Sequence, residues 1–255
     1  MKQIFVQTVL VPDVTIELDE KTAHHLFNVL RTTSKERIRI VDINQNVFYG
    51  HLLEKPFLQV DEASDEKRQE YPNLTLCAAL IKADKFEWML QKAAELGVSR
   101  IVPFTCKNTV VDIDARKIGR KLERWQSILD GACRQSNRTS LCTIEKPVRF
   151  CELKNYKSSL NICAWEKESG SHHLCCELPR LQDSATFVIG PEGGLSPQEA
   201  ESLEQEGFLL CSLGSRILRA ETAACYMLAA ADYAWNARQD ACSPQKKTEA
   251  DSQTT

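Results

Sequence analysis

No apolar run in this 255-residue chain is long enough to cross a membrane: the longest, from Ala223 to Ala231, falls far short of the ~18 residues that a spanning helix needs. The opening octet Met1-Lys2-Gln3-Ile4-Phe5-Val6-Gln7-Thr8 has no apolar stretch followed by a small-residue cleavage site, so no secretion signal is read there and a cytoplasmic protein is expected. Glycine is scarce, ten residues in all, which excludes a collagen-like chain. The eleven cysteines are odd in number and contain no Cys-x-x-Cys pair. A disulfide framework and a zinc ribbon are therefore both disfavoured, and reduced, mostly core thiols are expected. The Lys-Ser/Thr of a P-loop, the G-x-G-x-x-G dinucleotide fingerprint and the G-x-S-x-G nucleophile elbow are also missing, which counts against a triphosphate site, a nicotinamide oxidoreductase and a serine hydrolase.

What remains is an ordinary globular composition, 43% hydrophobic and 26% charged, in a chain long enough for one large domain or two modest ones. The net charge of −3 is uneven. Residues 1–72 carry nine basic and twelve acidic side chains, and the remainder is balanced. Within that remainder Arg100, Lys107, Arg116, Lys117, Arg120, Lys121, Arg124, Arg134 and Arg138 face only four acids over residues 100–138, a candidate polyanion surface.

Short segments that alternate at period two (residues 4–6, 14–16, 38–41 and 47–49), with one helix near 21–31, predict a small antiparallel β-barrel over residues 1–72. The polar stretch 61–70 before Pro72 reads as a linker. Residues 73–240 then alternate strand and helix: strands near 74–81, 98–104, 185–189 and 208–213, and helices near 84–97, 115–132, 196–207 and 221–238. This predicts an α/β domain with a parallel sheet covered on both faces. Asp84 with Glu87, and Ser196 with Pro197 and Glu199, look like helix-start signals. The polar end of the chain, 241–255, is expected to be disordered.

Five of the ten glycines fall in residues 190–214. Ile189-Gly190-Pro191-Glu192-Gly193-Gly194-Leu195-Ser196 leaves a strand and opens a helix, the place where α/β sheets take nucleotide-like ligands. Leu213-Gly214-Ser215-Arg216-Ile217-Leu218-Arg219-Ala220-Glu221-Thr222 repeats that arrangement one strand later, and its arginines suit an anionic partner. His172-His173-Leu174-Cys175-Cys176 offers soft ligands, but adjacent ligands chelate poorly, so no metal is expected and an irregular surface stretch is.

These loops, with Lys82-Ala83-Asp84-Lys85-Phe86-Glu87, Glu95-Leu96-Gly97-Val98 and Arg134-Gln135-Ser136-Asn137-Arg138, resemble in order and spacing the RsmE family of ribosomal RNA methyltransferases. The resemblance implies a SPOUT-superfamily domain with a deep trefoil knot, a PUA-like barrel before it and a homodimer. It implies methyl transfer from S-adenosylmethionine to N3 of one uridine in 16S RNA of the small (30S) subunit. By similarity the cofactor lies against Ile189, Gly190, Glu192, Gly193, Leu213, Gly214, Ile217, Leu218 and Thr222. Arg219, Arg216 and Glu192 are the catalytic candidates, and Arg31, Lys82, Lys85, Arg134 and Arg138 the RNA contacts. The rival expectations are another SPOUT enzyme, acting on ribose 2′-hydroxyl or transfer-RNA guanine, and a non-catalytic RNA-binding assembly factor.

Overall fold

The computed structural model describes residues 2–66, 70–111, 115–167 and 172–242. Five strands, β1 (Lys2–Phe5), β2 (Val14–Glu17), β3 (Ile38–Val41), β4 (Val47–Leu52) and β5 (Phe57–Ala63), form one sheet in the order β1-β3-β4-β5-β2. The expected antiparallel pattern holds for β3-β4, β4-β5 and β5-β2, but β1 runs parallel to β3. Ile4, Ile38, Ile40, Phe48, Leu52, Leu58 and Val60 make its core with Leu26. The helix expected at 21–31 is shorter and of mixed pitch: α1 (Glu20–Ala23), capped by Asp19, widens into a π-helical stretch, His24–Val29. The linker also begins later than expected, because Asp61, Glu62 and Ala63 belong to β5, with Glu62 and Ala63 paired to Tyr49 and Phe48. Even Glu66 is tied down, since hydrogen bonds from Arg39 and Tyr49 hold its carboxyl at about 2, well below the usual carboxylate range.

The second sheet contains β6 (Asn73–Ala79), β7 (Arg100–Thr105), β8 (Thr143–Ile144), β9 (Val148–Arg149), β10 (Leu160–Ala164), β11 (Ser184–Ile189) and β12 (Leu209–Cys211). Its order is β12-β10-β11-β6-β7-β8, with β9 also on β7, and every pair is parallel. Strand side chains alternate between two cores, as period two requires. Leu74, Leu76, Ala78, Phe187 and Ile189 face α2 (Ala83–Glu95), α3 (Ile118–Gln135) and α6 (Ala220–Cys242), whereas Cys77, Ala79 and Val188 face α5 (Pro197–Gln205). Both faces are thus covered, as a parallel sheet demands. Strand β10, which sequence periodicity did not isolate, lies between β11 and the edge strand β12.

The helix-start signals have different fates. Ser196 accepts from Glu199 N and Glu199 accepts from Ser196 N, a full capping box on α5 with Pro197 in the first turn. At α2 the cap position is Lys82 and no side chain closes it, because Glu87 turns instead to a bidentate pair with Arg124 of α3 at 2.6 and 2.7 Å. The stretch expected to be irregular at 172–176 contains the short α4 (Leu174–Glu177), capped by His173, whose Nδ1 accepts from Cys175 N. Helix α6 runs through Cys242, so residues 241 and 242 are helical, while 243–255 lie outside the described residues.

Half of the ten cysteines with described surroundings are buried, and all ten are free. Burial pushes the thiols of Cys77 and Cys142 up to about 12, which leaves them inert packing groups. Among the described residues no helix is long and apolar enough to cross a membrane. The two sheets meet through polar contacts: Gln3 Nε2 donates to Arg138 O at 2.7 Å, and Arg39 donates to Gln3 Oε1 and to Asn137 O. A cleft of 1420 Å³ opens beside them at the amino edge of the parallel sheet, lined by Asn73, Ser99 and Asp183.

Candidate functional site

Strand β6 leads to β7 on one side, whereas its neighbour β11 leads to β12 on the other. Between adjacent strands whose connections part in this way a crevice opens at the carboxyl edge, the general ligand position in open α/β sheets. Here it is walled by the first turn of α2, which holds Lys82 and Lys85, and by the glycine loop after Ile189. Strand β12 is the outermost strand, yet the first turn of α6 lies beside α2, with Glu221 Oε1 3.9 Å from Lys85 Nζ. Residues 212–219 therefore cross the carboxyl ends of β10 and β11 and bring both loops to one place.

The glycine loop is tightly made. Gly194 N donates to Pro191 O at 2.8 Å, closing a turn. Gly194 has φ +67, and a Cβ there would stand 2.8 Å from the Glu166 carboxylate. At Gly190 a Cβ would meet Leu195 Cγ and N at 3.2 Å, so glycine lets the loop fold back on itself. Ile189 is buried, Gly190 half-buried, and Glu192 and Gly193 are exposed. In the crossing segment Leu213 and Leu218 are half-buried, Gly214, Arg216, Arg219 and Thr222 are exposed, and Ile217 is 87% exposed.

Four buried side-chain polar atoms among the described residues lack a hydrogen-bond partner, and two of them belong to residues at this edge. One is the indole N–H of Trp165, just past the end of β10, and the other is Glu221 Oε2. Unsatisfied groups cluster where a ligand completes the bonding. With the apolar Leu213, Ile217 and Leu218 in the segment that crosses the same edge, they fit a flat, partly polar ligand of adenosyl type.

The basic surface is smaller than its sequence count. Arg124 is spent on Glu87, Arg100 lies over the Tyr156 ring and bonds Thr75, and Arg138 NH1 donates to Ala94 O and Val98 O at 2.8 and 2.7 Å. Arg138 thus closes the carbonyl end of α2. Lys107, Lys117 and Arg120 stay exposed. Arg134 is half-buried and close enough to His25 to help burial lower that imidazole's pKa. Arg31 is exposed with φ +47, beyond the π-helical stretch. Neither Arg216 nor Arg219 has a side-chain partner among the described residues. Sequence reasoning missed Trp165, Glu166 and Asn108, which no local motif marks.

A family model described as an RNA methyltransferase domain matches residues 68–232, and one described as an RNA methyltransferase PUA domain matches 18–61. Ribosomal RNA small subunit methyltransferase E of Bacillus subtilis is 31% identical over 233 residues, 86% of this chain and 90% of its own. The chain belongs to the RsmE family. The RsmE homologue of Rickettsia conorii is 29% identical over 87% of this chain and 91% of its own. The structure of RsmE from Neisseria gonorrhoeae, solved bound to S-adenosyl methionine, superposes with a TM-score of 0.76 at 26% identity, covering 90% of this chain and 96% of that one. RsmE membership accounts for both sheets, the parallel one as the methyltransferase domain and the first as the PUA domain.

Proposed function

We propose that the chain methylates N3 of one uridine in 16S ribosomal RNA, on free RNA or on the 30S particle, using S-adenosylmethionine. The observation that carries this reading is the pairing of an RsmE-type chain with a two-loop crevice that holds unsatisfied polar atoms at the carboxyl edge. S-adenosylmethionine supplies an electrophilic methyl group on a sulfonium.

In this reading Gly190, Glu192 and Gly193 approach the cofactor from one side, with Ile189 as the floor. Leu213, Gly214, Ile217, Leu218 and Thr222 enclose it from the other. Uracil N3 carries a weakly acidic proton, so negative charge grows on O2 and O4 as that proton leaves. Arg219 and Arg216, whose guanidiniums are not engaged elsewhere among the described residues, stabilise that charge. Glu192 is exposed at the same loop and stands ready as a proton acceptor. Lys82, Lys85 and Arg134 hold the RNA backbone, with Arg31 contributing from the PUA domain and Arg138 by its place in the fold.

The crossing of residues 212–219 over the strand ends is where we place the trefoil knot. Tyr226, Ala229 and Tyr233 form an exposed stripe along α6, with Tyr233 76% exposed, and in our reading a second copy covers it, forming a homodimer. The protein acts in the cytoplasm, where its substrate is assembled.

The test is methyl transfer from labelled S-adenosylmethionine to unmodified small-subunit particles, followed by nucleoside mass spectrometry. N3-methyluridine is expected. Another methylated nucleoside overturns the uridine reading, and RNA binding without transfer favours an assembly factor.

A further inference from the structure

The glycine loop is not held by its own strand and helix alone. The turn after β7 presses against it: Asn108 Nδ2 donates to Gly193 O at 3.1 Å and to Gly194 O at 3.0 Å. The contact is close enough that a Cβ on Gly193 would meet Asn108 Cβ at 3.2 Å. Asn108 is itself fixed. Its turn is closed by Cys106 N donating to Thr109 Oγ1 at 2.9 Å and Thr109 N to Cys106 O at 3.1 Å. The preceding amide, Lys107 N, donates at 2.8 Å to Glu199 Oε1, the carboxylate whose other oxygen completes the capping box of α5. A residue 85 positions upstream is thereby locked to the loop and to the helix that the loop opens.

The consequence follows from peptide geometry. In a trans peptide the C=O and N–H point opposite ways. With Gly194 C=O turned to Asn108, the N–H of Leu195 is turned away from it, towards Gly190, whose Cβ position lies 3.2 Å from Leu195 N. That N–H meets no acceptor among the described residues. The Gly194 amide closes the turn on Pro191 O, so the amide that Asn108 leaves unbonded on the other side of the loop is that of Leu195.

We infer that Asn108 is a positioning residue for the cofactor, setting the glycine loop in the shape that receives it; this rests on the methyltransferase reading above. Asn108→Asp is the sharpest variant, because it keeps the volume and replaces the donor by a carboxylate that repels both carbonyls. The parent protein, Asn108→Asp and Asn108→Ala are compared by calorimetric titration with S-adenosylmethionine, by steady-state methyl transfer and by amide exchange over residues 190–195 without cofactor.

Asn108→Asp is expected to weaken cofactor binding at least about tenfold, Asn108→Ala by less. The KM for cofactor should rise while kcat at saturation and the KM for RNA stay within about twofold, and amide exchange over 190–195 should quicken in both variants. A merely structural role would lower the melting temperature and kcat without this split. Parent-like cofactor affinity and parent-like exchange in Asn108→Asp overturn the inference and leave the methyltransferase reading standing. A parent protein that binds no S-adenosylmethionine overturns that reading, and the inference with it.

Discussion

The two loops that meet at the carboxyl edge are made in opposite ways. Residues 190–196 are held from every side: an internal turn, two bonds from Asn108, a reciprocal capping box and the buried Leu195. In the segment 212–219, Ser212 is bridged through its backbone to His172 and Leu174 and exchanges bonds with the Gly214 backbone through its Oγ, but beyond it the segment leaves Ile217, Arg216 and Arg219 exposed. The first loop is a surface that the protein completes for itself. The second is more open, and it carries to the surface the two arginines proposed above for charge stabilisation. In the proposed reading both loops enclose the cofactor, and the first, already set in shape, costs little to arrange on binding.

The largest effect is expected at the rigid loop. Gly190→Val forces a branched side chain against Leu195 and should weaken cofactor binding by up to about 100-fold in a calorimetric titration. A loss below about threefold would show that this loop, too, adapts. Arg219→Ala in the loose loop should instead lower kcat by about 100-fold while cofactor affinity stays within about twofold. Unchanged turnover removes Arg219 from the mechanism.

The same contrast, a side chain claimed by its own fold against one left for a partner, separates two arginines that sequence alone treats alike. Arg138→Ala should destabilise the protein by about 1–3 kcal/mol in denaturant unfolding, since Val98 O loses its donor and Ala94 O is left with backbone donation alone. Arg134→Ala should change stability by less than about 0.5 kcal/mol yet flatten the salt dependence of RNA binding by about 0.7–0.9 log units. A salt slope that changes only in the Arg138 variant would reverse the assignment. The smallest difference is between two serines. Ser196→Ala removes the α5 cap and should cost about 1 kcal/mol, whereas Ser212→Ala should stay within about 0.5 kcal/mol in the same unfolding experiment.

Features set by near neighbours were legible in the sequence. Ser196, Pro197 and Glu199 carry their cap within four residues, and the loop after Ile189 announces itself by glycine density. What escaped depends on partners far along the chain. Strand β10 is five residues long with Asn161 inside it, and only pairing with β11 and β12 makes it an interior strand. Glu87 sits at a good capping distance from Asp84, yet Arg124, 37 residues on, offers a bidentate charged partner that wins. Asn108 has no signature at all, because its meaning lies in two carbonyls on another loop. The parallel pairing of β1 with β3 was hidden for the same reason, since alternation shows which face is buried and not which way the neighbour runs.

Helix α6 starts at the loose loop and, fourteen residues after Glu221, places Trp235 so that its indole N–H donates to Glu70 O in the strap between the two sheets. At about 1.5 Å per residue those points stand roughly 21 Å apart along one rod. A helix transmits an axial shift along its length with little loss, so α6 is a strut between the crevice and the joint. The carboxyl-edge loop before α6 and the strap at Glu70, far apart in sequence, are therefore held at a fixed separation by one stiff element, so the crevice and the joint between the sheets share a single support.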